Sequence, residues 1–394
     1  MSQLQLLSLA VFNLSIMAIL TVFLFYPAFV WAGSLFRPKR PLASGDVEPI
    51  VSLVIVLRNG EKIIRQKLEN ALSLDYKNEK LQIVVFSDGS TDETQKVINA
   101  YEDRGIIGLS SVNHMGKAHG INRAVDHCVG DLLLFTDADA ILAPKAIGKI
   151  VRHFADLRIG GVCGQRIIHK EEGPKFKGGQ ADYIRFDSRI KLFESRIGSI
   201  TSNDGKIYAI RRKLFKPVRP DVTDDLYACL SVVEQGYRFV FEPAAKAYIR
   251  TPSRNPVHEV ERRRRIVTRS LRGIYHKRGV LNPFGYGFFS VGLFVNKVIR
   301  RLLPLFLVLV FFSSAILSIG NGLFFGCWAL QLLFYLINLF PFTSEKYGFG
   351  MGIIEKPTLR VFYFSVGMYG TLLGFLDFIT LKRYEKWDPK KTGL

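Results

Sequence analysis

The sequence predicts an α/β protein, with a cytosolic domain built on a mainly parallel sheet and carried on transmembrane α-helices. Three observations predict it. Long apolar segments bracket a central stretch of ordinary polar and apolar mixing; that stretch alternates short apolar runs with helical periodicity; and acidic residues recur where the apolar runs end. The expected organisation is an N-terminal transmembrane anchor over 1–36, a cytosolic domain over 48–280, an interfacial amphipathic helix over 281–301, and C-terminal transmembrane helices with a tail over 302–394.

The anchor comes first. Leu6 to Ala32 carries no formal charge and exceeds the roughly 20 apolar residues needed to cross hydrocarbon. A secretory leader would have a basic segment ahead of a shorter apolar core; here the basic cluster Arg37, Lys39 and Arg40 follows the apolar run. That order puts what comes next in the cytosol, at the inner or plasma membrane if the source is bacterial. Leu302 to Phe340 is long enough for two spans with a turn at Gly320, Asn321 and Gly322, and a last span fits Val361 to Leu381. Phe284 to Arg301 is apolar but interrupted by Asn296, Lys297, Arg300 and Arg301, which suits a helix lying on the membrane surface. Three C-terminal spans would leave the basic tail Lys382 to Lys391 outside, against the positive-inside tendency.

The central stretch is β then α, repeated. Ile50 to Leu57 ("IVSLVIVL") is a near-continuous apolar run, as a strand buried on both faces requires. Glu61 to Leu74 has helical spacing at Ile63, Ile64, Leu68, Ala71 and Leu72. A second strand, Leu81 to Phe86, runs into "SDGSTDET", where Gly89 permits a turn and Ser90 or Thr91 caps a helix over Asp92 to Tyr101. A helix over Lys117 to Cys128 leads to a third strand, "DLLLFT". Strands alternating with helices imply right-handed crossovers and a parallel sheet, and ligands of such sheets bind beyond the carboxyl ends of the strands.

Asp88, Asp137 and Asp139 sit at that edge. Three acids on one rim repel each other; a hard divalent cation such as Mg or Mn removes the cost by taking one or two carboxylates and filling its shell with phosphate oxygens and water. Asp137 and Asp139 are alternate residues, so on an extended chain they face one way. On spacing alone, a solvated loop after a strand explains the pair equally.

The net charge of +20 does not point to nucleic acid, because no recognition-helix, zinc-finger or RNP pattern accompanies the basic residues. Its clusters, Arg211 with Arg212, Arg262 to Arg265, and Arg300 with Arg301, suit anionic membrane lipids and phosphorylated substrates. The four cysteines have no paired spacing, so neither zinc nor a disulfide framework is implied. An oligomer stays open.

With these residues in view, Ile50 to about Gly273 resembles a family 2 glycosyltransferase of the GT-A fold (Rossmann-like), in the membrane-embedded branch alongside the hyaluronan, chitin and cellulose synthases and ceramide glucosyltransferases. The resemblance implies a nucleotide-sugar donor and a divalent metal. "VVFSDGSTDET" is similar to the family's first nucleotide-binding stretch, which implies that Asp88 contacts the base. "MGKAHGINRAV" is similar to its G-K-x-x-x-x-N helix, putting Lys117 near the donor. "TDADA" resembles the D-x-D motif, with Asp139 the chief metal ligand and Asp137 beside it. "NDGKIYAIRR" resembles the loop before the acceptor site, which brings in Asn203 and Asp204. "TDDLYACLSVVEQGYRFVFEP" resembles the T-E-D region, so Asp225 matches the catalytic base with Asp224 next to it. The Q-x-x-R-W motif of processive members lines up with Arg262 to Ile266: Arg265 matches, while glutamine and tryptophan are replaced by Arg262 and Ile266. Asn59, Gly60 and Glu61 stand where the family often has Asn-Glu-Glu.

The resemblance implies an inverting transfer from a UDP-type sugar to a lipid or saccharide acceptor, with Asp225 as base and Arg265 beside the leaving diphosphate. The residues alone allow blander roles: Asp224 and Asp225 as helix caps, Asp88 as a turn residue, the arginine run as a solvated helix face. Alternatives at the level of function are a processive polysaccharide synthase, transfer to a polyprenyl phosphate, and a non-catalytic nucleotide-sugar-binding subunit.

Overall fold

A computed structural model describes residues 2–37, 48–168, 177–249, 255–338, 355–384 and 386. Lys39, Arg40 and most of the basic tail lie outside the described residues. The elements in chain order are α1 (Gln3–Leu35), β1 (Val51–Leu57), α2 (Glu61–Leu72), β2 (Leu81–Asp88), α3 (Thr94–Asn99), β3 (Ile106–Ser111), α4 (Lys117–Val125), β4 (Leu132–Asp137), β5 (Ala140–Leu142), α5 (Ala146–Val151), β6 (Ile159–Ile168), α6 (Lys177–Ile197), β7 (Tyr208–Arg211), α7 (Asp224–Glu234), β8 (Arg238–Ile249), α8 (Pro256–His276), α9 (Phe288–Leu317), α10 (Gly322–Ile337) and α11 (Glu355–Ile379).

The strands form one sheet in the order β3-β2-β1-β4-β7-β6-β8-β5. The half made of β3, β2, β1 and β4 is parallel; β7 then runs antiparallel to both β4 and β6, β6 pairs parallel with β8, and β5 closes the edge antiparallel to β8. The mainly parallel α/β sheet expected from the sequence is present. All seven residues of β1 are buried, and they alternate between two cores: Val51, Leu53, Ile55 and Leu57 pack toward α2, α3 and α5, and Val54 and Val56 pack toward α4 and α7. A strand in the middle of a parallel sheet is covered on both faces, which is why its sequence is a continuous apolar run.

Among the described residues three helices are long and apolar enough to cross a membrane, Gln3–Leu35, Phe288–Leu317 and Pro357–Ile379, beside a shorter apolar helix, Gly322–Ile337. The turn between α9 and α10 falls where Gly320, Asn321 and Gly322 mark it: Gly320 has φ +85° and Asn321 Oδ1 accepts from Leu323 N at 3.0 Å. The separate interfacial helix expected over 281–301 is absent. A short turn at Pro283–Tyr286 precedes Phe288, and the chain then runs on as continuous helix to Leu317. The polar residues that suggested a break instead face protein, Asn296 bonding Thr201 Oγ1 at 2.9 Å and Lys297 bonding Ser202 Oγ at 2.7 Å.

Helix α11 packs along α8. Arg264 binds Asp377 with both ends of its guanidinium, Arg272 donates to Lys382 O at 2.7 Å, and Tyr363 bonds Glu259 Oε1 at 3.2 Å. Close approach depends on Gly370 and Gly374, where an added Cβ would lie 2.9 Å from Val260 O and 2.5 Å from Arg264 O. A third core of Val22, Tyr26, Val30, Ile190, Val295 and Leu303 fixes α1 and α9 to α6. The carboxylate of Glu194, buried at this junction, accepts from Tyr26 Oη and from Thr201 N at 2.9 Å.

Candidate functional site

The site is assembled where β2 and β4 end and α4 and α7 begin. Asp137 closes β4, and Lys117 is the first residue of α4. Lys117 Nζ bonds Asp137 Oδ1 at 2.8 Å and Asp224 Oδ2 at 2.9 Å. Lys206 Nζ sits on the other side, 2.9 Å from Asp137 Oδ2 and 2.7 Å from Asp139 Oδ1. Burial by itself would raise the Asp137 carboxyl, but the two ammonium groups outweigh it and hold it well below the usual carboxylate range. Burial likewise opposes the charges of Lys117 and Lys206, and the aspartates beside them keep both well above the usual lysine value. Three carboxylates and two lysines thus form one neutralising chain across the strand ends.

Beneath the turn, Lys67 is fully buried, donating to Ala140 O at 2.5 Å and Thr136 Oγ1 at 3.1 Å. Burial pulls its ammonium down to about 7, against the nearby charges of Asp139 and Asp137. It ties the Asp137–Asp139 turn to α2 from below. Neither Lys67 nor Lys206 was singled out from the sequence; Lys206 lies in the quoted "NDGKIYAIRR" loop, so its residue type was visible there and its direction was not.

Asp88 is 2 % exposed. Its oxygens accept from Met115 N at 2.9 Å and Gly116 N at 2.7 Å and meet His114 Nδ1 at 2.8 Å. The carboxylate therefore anchors the loop leading into α4, and the surface offered at this edge is that loop. Gly89 makes the contact possible: its φ is +59°, and a Cβ there would lie 2.4 Å from His114 N. Asn59 (φ +49°) braces the neighbouring turn, its Oδ1 accepting from Thr91 N at 2.8 Å.

Asp225 lies one residue beyond Asp224 on α7 but faces elsewhere. Its Oδ1 accepts from Leu226 N at 2.7 Å, and its backbone carbonyl accepts from Asn203 Nδ2 at 3.0 Å. Burial, followed by the charge of Asp224, raises its carboxyl to about 6. Gly205 separates it from the strand-end acids: a Cβ built there would stand 3.8 Å from Asp225 Oδ2 and 4.0 Å from Asp137 Oδ2. Both carboxylates thus lie beside the same glycine.

On the far side of Asp225 is a cavity of about 570 Å³ between the sheet domain and the apolar helices. Asn203, Asp204 and Arg262 line it, while Asp137, Asp139, Lys117 and Asp88 do not. Asp224 belongs with Lys117 rather than with the cavity. From α8 the lining takes Arg262, Arg263, Ile266, Val267 and Ser270 but not Arg265; burial, with Arg269 and Arg262 close by, lowers the Arg265 guanidinium to about 10. Arg269, not noticed in the sequence, donates to Val222 O at 2.8 Å and so fixes the entry to α7.

The donor set suits a divalent cation. One cationic centre, Lys206 Nζ, already reaches both Asp137 Oδ2 and Asp139 Oδ1, so these two carboxylates are the residues that would hold an ion. Among the described residues no group of three or more His, Cys, Asp or Glu is disposed to hold a metal.

Comparison with known proteins now has a geometry to attach to. The profile of Glycosyl transferase family 2 matches residues 52–219. A poly-beta-1,6-N-acetyl-D-glucosamine synthase of Staphylococcus aureus is 24% identical over 249 residues, 58% of this chain and 60% of that protein. A beta-monoglucosyldiacylglycerol synthase of Nostoc is 23% identical over 186 residues, 45% of this chain and 40% of that protein. The match therefore spans less than two thirds of these curated relatives. In three dimensions, a mannosyltransferase of Pyrobaculum calidifontis, solved with GDP-Man and Mn2+, superposes with a TM-score of 0.73 at 19% identity, covering 95% of this chain and 100% of that one. The GT-A fold expected from the sequence is shared.

Proposed function

The chain carries a family 2 glycosyltransferase domain over residues 52–219, and from that premise we propose that it moves a sugar from a nucleotide sugar to a hydroxyl of a lipid or lipid-linked saccharide at the cytosolic membrane face. The observation that carries the reading is that Asp137 of the strand-end acids and Asp225, which lines the membrane-side cavity, both lie beside Gly205.

In this reading the nucleotide diphosphate lies at the strand ends, where Asp139 and Asp137 would hold a Mg or Mn ion. That ion supplies charge neutralisation of the departing diphosphate when bound. The fold shared with a mannosyltransferase solved with Mn2+ supports it. Lys117 and Lys206 occupy those carboxylates in the resting chain and are available to phosphate oxygens once displaced. Asp88 serves the donor by setting the 111–116 loop. The acceptor enters past Asn203, Asp204 and Arg262. Asp225 takes the proton from its hydroxyl; the oxygen forms the new bond to the anomeric carbon while the bond to the diphosphate breaks and its electron pair leaves with the nucleotide, inverting the centre. Arg265, behind the cavity wall, is assigned to the electrostatics of the leaving group, and Asp224 to the orientation of Lys117.

The named relatives, a polysaccharide synthase and a glucosyl-lipid synthase, support a saccharide or lipid acceptor, and the position of the cavity against α1, α9 and α11 favours the lipid. The deciding experiment incubates the purified full chain with a panel of UDP- and GDP-sugars and Mn2+ or Mg2+, reads released nucleotide, and repeats it with lipid acceptors. Release that depends on one donor and rises with acceptor supports the reading; no release from any donor removes it.

A further inference from the structure

The cations of the cavity divide into two sets. Arg166, Lys191, Arg263 and Arg360 each meet a carboxylate, Asp204, Asp187, Glu259 and Asp182, at 3.3, 2.8, 2.7 and 3.2 Å. Arg262 also meets Glu259, at 2.8 Å. Among the described residues Lys297, Arg300 and Arg301 of α9 form no direct ion pair, although the charge of Asp187 reaches Lys297 and Arg300. Lys297 Nζ bonds only the Ser202 hydroxyl, Arg300 bonds Asn296 Oδ1 at 2.7 Å and lies over the Phe186 ring at 5.3 Å, and Arg301 donates to Lys297 O at 2.5 Å. The Nε of Arg301 is buried and has no hydrogen-bond partner.

These residues stand at positions i, i+3 and i+4 of one helix and so share a face. That face lines the cavity, whose acids other than Asp225 are already engaged. Half-buried cations with no carboxylate in direct contact carry a desolvation cost that an anionic ligand relieves, and on an apolar helix such residues mark a ligand path rather than a structural need. The rest of the wall sets the kind of anion. Phe23, Leu303, Phe364 and Met368 give the cavity an apolar side continuous with the apolar helices. The nucleotide diphosphate is placed elsewhere, because the strand-end acids and Lys117 do not line this space.

We propose that Lys297, Arg300 and Arg301 form an anion subsite for the phosphoryl group of an amphiphilic acceptor, whose hydrocarbon lies along the apolar wall and whose hydroxyl-bearing head reaches Asp225. This assignment rests on the glycosyltransferase reading and adds to it the acceptor's chemical class, a phosphate-bearing lipid. The geometry divides the ligand into three parts along one cavity: tail among aromatic and aliphatic side chains, phosphate at the α9 cations, nucleophile at Asp225.

The test uses the full chain in amphipol and isothermal titration calorimetry with hexadecyl phosphate, hexadecanol and inorganic phosphate as probes. The expected result is hexadecyl phosphate binding at least ~10-fold tighter than either of the others, the scale of one or two charge-assisted hydrogen bonds. Lys297→Gln with Arg301→Gln should collapse the preference over hexadecanol to about one, and Arg301→Lys should keep most of it; a ratio within one preparation is insensitive to partial misfolding. Equal binding of phosphate and alcohol, or a preference untouched by the double substitution, overturns the subsite. Inorganic phosphate binding as tightly as the alkyl phosphate overturns the lipid assignment. Nucleotide release on the same preparation separates the parent reading: release without phosphate preference sinks the subsite alone, and preference without release sinks the acceptor role.

Discussion

Asp224 and Asp225 are neighbours in sequence with opposite tasks, and the difference lies in what each faces. Asp224 meets Lys117 at 2.9 Å; the Asp225 carboxylate accepts from the backbone nitrogen of Leu226 beside it, and burial, followed by the charge of Asp224, raises it to about 6. A base of that strength is ionised at neutral pH and protonated below it. The rate at limiting substrate should therefore fall about tenfold per pH unit below roughly pH 6, as read from a pH profile of nucleotide release. Asp225→Asn should lower transfer by about 10²- to 10⁴-fold while donor binding persists; a variant with full activity would remove the base assignment.

Lys206 raises a different expectation, because its ammonium spans the two carboxylates that would hold the metal. Lys206→Met should leave Asp137 and Asp139 facing each other, lowering the melting temperature without metal and enlarging the rise that Mn2+ produces relative to wild type. An unchanged Mn2+-induced shift would show that the lysine does not compete with the ion.

At the scale of elements, three of the four parallel strands, β1, β2 and β4, were legible because they are buried along most of their length and each crossover helix shows its own period, whereas β3, largely half-buried, was not expected. Observed ends fall within a few residues of the expected ones: Val51–Leu57 against Ile50 to Leu57, and Glu61–Leu72 against Glu61 to Leu74. The second half was not legible. β7 has four residues and β5 three, too few for any period, and their pairing is fixed by partners far along the chain. The interruption was misread for a related reason: Asn296, Lys297, Arg300 and Arg301 look like a break in hydrophobicity, yet they point into protein, onto Thr201 and Ser202 and into the cavity. The α8–α11 contact makes a prediction of this scale. Gly374→Leu would drive a side chain into Arg264 O and should cost about 1–3 kcal/mol or more, lowering the melting temperature and loosening α11; Gly326→Leu on α10, where a Cβ meets nothing within 4 Å, should not.

For the whole molecule, the packing of α11 bears on topology. We propose that α11 lies along α8 on the domain's side of the membrane, and that α1, α9 and α10 are the helices that cross. The ion pair of Arg264 with Asp377 and the bond from Arg272 to Lys382 O support this. The arrangement keeps Lys382, where the basic tail begins, beside α8, in keeping with the positive-inside tendency. In oriented vesicles with the domain inside, a membrane-impermeant maleimide should label Gly320→Cys in the α9–α10 turn and spare Arg383→Cys. Labelling of both would mean that α11 crosses after all.

The sequence by itself determined the apolar segments, three of the four parallel strands with their helices, and acids at strand ends in an order that resembles a family 2 glycosyltransferase, since burial on both faces, helical period and motif order are properties of consecutive residues. Only the tertiary structure decided that Lys117 and Lys206 hold those acids, that Asp88 is consumed by its own loop, that Arg265 stands behind the cavity wall, and that the α9 cations look into it. Each of these depends on which side chains from distant segments share one small volume, and no local pattern encodes that.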